Sequence, residues 1–149
     1  MITVLDLNYN EDNYNWWLTC MDDVLNYKCL LPNVVAGRLD YSVESLDIAE
    51  QYLLDNFNIK SIYNVENKYA LDFFVRYVGK TFFVNIKNLK WFFILDDKNF
   101  YYGEPILTKT HTDLYMLISP LSFIISSLDR QKGNCMSKIL RNRIADDND

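Results

Sequence analysis

Between Val65 and Lys80 almost every residue is apolar except one in four. Lys68, Asp72, Arg76 and Lys80 recur at four-residue intervals, and nearly everything between them, including Tyr69, Ala70, Leu71, Phe73, Phe74, Tyr77 and Val78, is apolar. A strand cannot carry that period. The spacing predicts a helix with one narrow polar face, carrying i,i+4 ion pairs in water, and with every other side packed. A helix of this kind belongs at the centre of a fold. Where it ends depends on Gly79. Either the glycine is a close-packing point in a helix that continues to about Ile86, or it is a C-cap, in which case Phe82, Val84 and Ile86 alternate as a strand.

The rest of the chain is consistent with other helices around that one. The 149 residues contain only 4 Gly and 3 Pro, which disfavours a turn-rich sandwich, and half of them are apolar, which excludes a disordered chain. One helix is expected from about Asn13 to Tyr27, capped by Asp12 or Asn13, with Trp17, Cys20, Met21, Val24 and Leu25 as its buried stripe. Ser42 is placed to cap another, with Leu46, Ala49, Leu53 and Phe57 inward and Glu44, Asp47, Gln51 and Asp55 outward. Leu89–Leu95 and Phe100–Leu107 read as a hairpin turning at Asp96-Asp97-Lys98-Asn99, with Pro105 making the return strand an edge. Pro120 starts a helix to about Leu128, and Cys135 to Arg143 form a last one before a frayed acidic tail at 146–149. The expectation is a single α+β domain, mostly helical, with a small antiparallel hairpin.

Charge divides the chain. The first 55 residues hold ten carboxylates and two cations, a net of −8, while residues 56–149 sum to +3. Tyr and Trp are interleaved with the acids. Such a surface suits a basic protein partner, because it joins steering charge to large anchors of low entropy cost, and it repels nucleic-acid phosphates. The residues expected to bind the partner are Asp22, Asp23, Glu44, Asp47 and Glu50 for charge, with Trp16 and Tyr41 as aromatic anchors. Arg130, Lys132, Lys138, Arg141 and Arg143 crowd five cations into fourteen residues, but without interleaved aromatics they read as a solvated face rather than an RNA patch.

Catalytic signals are weak. His111 is the only histidine, and the chain has no P-loop, GxGxxG, GxSxG or HExxH. Asp96 and Asp97 suit capping their own turn better than holding a metal. Cys20, Cys29 and Cys135 show no CxxC spacing and read as reduced thiols. No cofactor, metal site or enzymatic activity is expected. The apolar run Leu114 to Ile125 is too short and too broken to span a bilayer, and residues 1–6 lack a signal-peptide pattern, so a cytoplasmic protein is expected. A different class of function is a small-molecule or nucleotide-binding regulatory domain, its pocket between the hairpin and the central helix and lined by Arg76, Trp91, Tyr101 and Tyr102.

Several stretches occur in a recognisable order. Tyr41-Ser42-Val43-Glu44-Ser45-Leu46 opens a helix ending in Tyr52-Leu53-Leu54, Tyr77-Val78-Gly79 lies in the next, and Trp91 follows twelve residues on. Tyr102-Gly103-Glu104-Pro105 and Ser119-Pro120-Leu121-Ser122-Phe123 come after. Over roughly residues 40–130 this resembles small bacterial toxin-immunity-type domains, departing from them where Lys80 replaces the acid that often follows the glycine. The resemblance implies a non-enzymatic cytoplasmic binder that blocks a toxin encoded nearby, and the acidic surface makes a basic effector, such as a nuclease, its expected target.

Overall fold

The central helix forms as its pattern requires, and it runs straight through Gly79. In the computed structural model, which describes residues 1–27, 31–109 and 117–147, this helix spans Lys68–Asn85 and is α5 here. Before it come α1 (Glu11–Thr19), α2 (Met21–Asn26), the single turn α3 (Asn33–Ala36) and α4 (Ser45–Asn56). After it come β1 (Lys90–Phe93), β2 (Pro105–Thr108), α6 (Pro120–Arg130) and α7 (Cys135–Asp147). The architecture is mostly helical α+β with one small antiparallel sheet. Among the described residues no helix is long and apolar enough to cross a membrane.

Gly79 resolves as a packing point. A Cβ placed there would overlap the Trp91 ring and lie 3.3 Å from Pro120 Cγ, so the absent side chain is what lets the hairpin and α6 close onto α5. Trp91 in turn meets Trp17 edge to face, with ring centroids 5.3 Å apart. One core therefore joins α1, α5 and β1.

The polar stripe of α5 does not reach water along its length. Lys68 and Lys80 at its two ends are partly exposed, but Asp72 and Arg76 are buried at 1% and 0% exposure. The N-terminal segment covers them. Arg76 Nε donates to Asp72 Oδ2 at 2.8 Å, and its Nη1 and Nη2 donate to the carbonyls of Trp17 and Ile2 at 2.7 and 3.3 Å. Asp72 Oδ1 accepts from Trp17 Nε1 at 2.7 Å and Val4 N at 2.8 Å. The guanidinium also lies 4.4 Å from the Trp17 ring centroid. Burial pushes the Asp72 carboxyl up from its ordinary value, opposed by Arg76 and these donors. Of the i,i+4 pairs expected in solvent, Asp72–Arg76 forms in the core, while Lys68 and Lys80 pair with Asp6 and Asp22 from the N-terminal segment.

Other boundaries moved for local reasons. The helix expected from Asn13 to Tyr27 is two, broken at Cys20 (φ −84°, ψ 4°), and Asn10 caps α1 by accepting from Asn13 N. Ser42 Oγ accepts from Ser45 N, so the expected cap stands one turn before α4. In the sheet Trp91 pairs with Leu107 and Phe93 with Pro105. The return strand is an edge of this two-stranded sheet, as expected, but a covered one: Leu107 and Ile118 form a single bridge on its outer side, exchanging both backbone hydrogen bonds at 2.8 Å, and all four β2 residues are buried. Pro105 avoids conflict by standing first in the strand. The tail is ordered further than expected, with Asp146 and Asp147 still in α7 and Asp147 ion-paired to Lys109.

Candidate functional site

From Glu11 to Tyr27 there is no Lys, Arg or His. Exposed residues in this stretch include Asp12, Asn15, Trp16, Thr19, Asp22, Asp23 and Asn26, spaced 3, 4, 7, 10, 11 and 14 from the first. That spacing is one helical face carried across the Cys20 break. Its inner counterpart is Tyr14, Trp17, Val24 and Leu25, all buried, with Trp17 at 0% exposure. Burying Trp17 in the core is what forces Trp16 outward. Trp16 is 61% exposed, on a face bearing Asp12, Asp22 and Asp23.

Among the described residues only Asp22 of these three has a cation beside it. Lys80 Nζ lies 3.3 Å from Asp22 Oδ1 and 5.0 Å from the centroid of the Tyr41 ring. Tyr41 is in the left-handed region (φ 62°), and its backbone N–H donates to Tyr77 Oη at 3.0 Å. The two rings stack at 4.9 Å, and Tyr41 O accepts from Asn85 Nδ2. Burial first, then Tyr77 and Asp22, raise the Tyr41 phenol. Tyr41 is therefore a half-buried fixture beside Asp22.

The acids of α4 meet a different fate. Glu50 is fully buried: Ser127 Oγ donates to its Oε1 at 3.2 Å, Met136 N to Oε1 at 2.9 Å and Cys135 N to Oε2 at 3.1 Å. It caps the first turn of α7, where a carboxylate is favoured by orphan N–H groups and the helix dipole. Its expected role as surface charge is overturned. Asp47 accepts from Ser137 Oγ at 2.6 Å and is only partly exposed. Glu44 is exposed and faces Arg141 Nη2 at 3.8 Å. Part of the charge contrast between the two halves of the chain is thus consumed internally, α4 acids against the start of α7.

The pocket expected between hairpin and central helix is filled. Arg76 is locked in the core, Trp91 occupies the space over Gly79, and Tyr102 stacks on Tyr9 at 4.5 Å. A cavity of about 300 Å³ lies elsewhere, walled by Met1, Val24, Tyr27, Tyr69, Asp72 and Phe73. Its residues carry ordinary core spacing, so nothing in the sequence marks it. In the hairpin turn Asp96 Oδ1 accepts from Lys98 N at 3.0 Å, the local capping expected of it. Among the described residues no three His, Cys, Asp or Glu side chains group to hold a metal ion. His111 and Cys29 lie outside the described residues. No protein-family model, curated protein or solved structure matches this chain.

Proposed function

We propose that this chain is a cytoplasmic protein-binding protein, acting without catalysis, that covers a basic partner with the outer face of α1 and α2 in the manner of an immunity-like inhibitor. The observation that carries the reading is Trp16, 61% exposed on a face where acids alternate with neutral residues and no cation occurs from Glu11 to Tyr27. A large exposed indole is an affinity anchor, while surrounding carboxylates steer a basic surface and fix its register. Asp12 and Asp23 supply charge with no ion-pair partner among the described residues, and Asp22 supplies charge shared with Lys80. Glu44 faces Arg141 of α7 instead, and Asp47 and Glu50 serve the fold.

The test is capture of partners from the native host lysate at low and moderate salt, with wild type and with Trp16→Ala and Asp12→Lys/Asp23→Lys variants. A stoichiometric basic protein should be retained by wild type and lost as salt rises. The charge-reversed variant should associate more slowly and with weaker salt dependence. A partner bound equally by all three proteins would remove this face from the function. A regulatory small-molecule domain is the second reading, favoured by the cavity beside Tyr27 and Tyr69, whose mostly apolar wall suits an apolar ligand better than a nucleotide.

A further inference from the structure

A second surface, independent of the α1–α2 face, combines apolar walls with a charge. It is a groove of about 330 Å³ between the end of the hairpin turn and α6, lined by Tyr63, Phe100, Glu104, Leu121, Ser122 and Ile125, with Ser126 at its rim. Phe100 is 86% exposed, the highest value of any large apolar side chain in the described residues, and stands edge-on against Tyr101 with centroids 5.1 Å apart. Leu121 and Ile125, one turn apart on α6, are both partly exposed. Leu121 and Ile125 pack against the core on their inner side, and with the exposed Phe100 their outer sides leave an apolar surface flanking a carboxylate.

The carboxylate is held in a particular way. Ser119 Oγ donates to Glu104 Oε1 at 2.7 Å and Ser122 Oγ donates to the same oxygen at 3.2 Å. Among the described residues Oε2 accepts no hydrogen bond and no cation pairs with Glu104. The negative charge is felt across the groove, where burial and then Glu104 raise the Tyr63 phenol. The two serines fix the carboxylate while leaving one oxygen available, as a recognition group requires.

We propose that this groove binds a peptide segment of a partner protein in which an arginine is flanked by apolar side chains. The guanidinium donates to Glu104 Oε2 and its plane lies against Phe100, while the apolar neighbours cover Leu121 and Ile125. Arginine fits better than lysine, because a planar cation can pair with a carboxylate and stack on an aromatic face together. An anionic ligand is disfavoured by Glu104 itself. The volume, at the low end for ligand pockets, suits a short segment rather than a long helix.

The experiment is an amide-resolved NMR titration of the full chain with acetyl-Leu-Arg-Leu-amide, with peptides carrying lysine or the uncharged isostere citrulline in place of arginine, and with Glu104→Gln and Phe100→Ala variants. Shifts should cluster at Tyr63, Phe100, Glu104 and residues 121–126, and the citrulline peptide should bind about tenfold more weakly. Glu104→Gln keeps an acceptor for both serines. It should weaken the arginine peptide by about tenfold and leave the citrulline peptide unchanged. Phe100→Ala should weaken both peptides. A lysine peptide that bound as tightly as the arginine one would overturn the choice of arginine. Shifts elsewhere, equal losses for both peptides in Glu104→Gln, or no saturable binding at about 10 mM peptide would show that Glu104 only braces the start of α6.

Discussion

Replacing Arg76 by Met separates a surface ion pair from a buried one by nearly an order of magnitude. If Arg76 lay on a solvated i,i+4 face, losing it would cost about 0.3–0.5 kcal/mol. In the structure its side chain is at 0% exposure and donates to the Asp72 carboxylate and to the carbonyls of Trp17 and Ile2. Methionine keeps much of the volume but leaves a buried carboxylate and two carbonyls without those donors. The expected cost is about 3–5 kcal/mol, the range for breaking a buried pair from one side. Urea unfolding at neutral pH, followed by tryptophan fluorescence, measures it as a shift in midpoint at unchanged slope. Protonation of Asp72 relieves the stranded charge, so the deficit of Arg76→Met should shrink as the pH falls. This follows from linkage: with Arg76 gone the folded-state carboxyl rises further above its unfolded value, and the folded state then takes up the proton more readily. Asp72→Asn/Arg76→Met should recover part of the loss, because the neutral carboxamide oxygen can still accept from Trp17 and Val4, giving a coupling of about 1–3 kcal/mol. A single-variant cost below about 1 kcal/mol would refute the buried network.

Three further substitutions probe other parts of the fold. Gly79→Ala gains about 1 kcal/mol of helix propensity but drives a Cβ into the Trp91 ring, so a net loss of about 1–2 kcal/mol is expected by chemical denaturation, smaller in a Trp91→Leu background. Tyr14 buries a hydroxyl that has no partner among the described residues while its ring stacks on Phe93 at 4.8 Å. Tyr14→Phe should therefore raise stability by about 1 kcal/mol, seen as a higher melting temperature, and a loss of that size would reveal a partner for the hydroxyl. Burial would raise the Asp6 carboxyl, but hydrogen bonds from Thr3 N and Oγ1 and the charge of Lys68 hold it below its ordinary value. A depressed folded value stabilises above the unfolded pKa and the benefit disappears as pH falls through the folded one, so the deficit of Asp6→Asn should be fullest above the unfolded carboxylate value of about 4 and shrink as the pH falls below it.

Local pattern carried a good deal of this fold. The helical period of residues 68–80, the Ser42 and Pro120 start signals, the hairpin and its Asp96 turn, and the buried stripe that takes Trp17 inward are all written in neighbouring residues, because helix period, capping and turn chemistry act over a few positions, whereas the run of α5 past Gly79 and the exposure of Trp16 were not. The acidic, cation-free stretch from Glu11 to Tyr27 was visible in the same way. What pattern could not say is which polar side chains another segment would cover. Asp72 and Arg76 sat on a face that looked solvated until residues 2–4 and Trp17 closed over it, 55 to 74 positions away in sequence. Glu50 resembled its exposed neighbours until the start of α7, 85 residues on, gave it backbone donors. A buried charge is tolerated only with partners, and those partners came from distant parts of the chain. Sequence alone determined where most of the helices lie, most of their inner stripes and the sign of the N-terminal surface. Tertiary contact decided which acids remained available to a partner and which became part of the core.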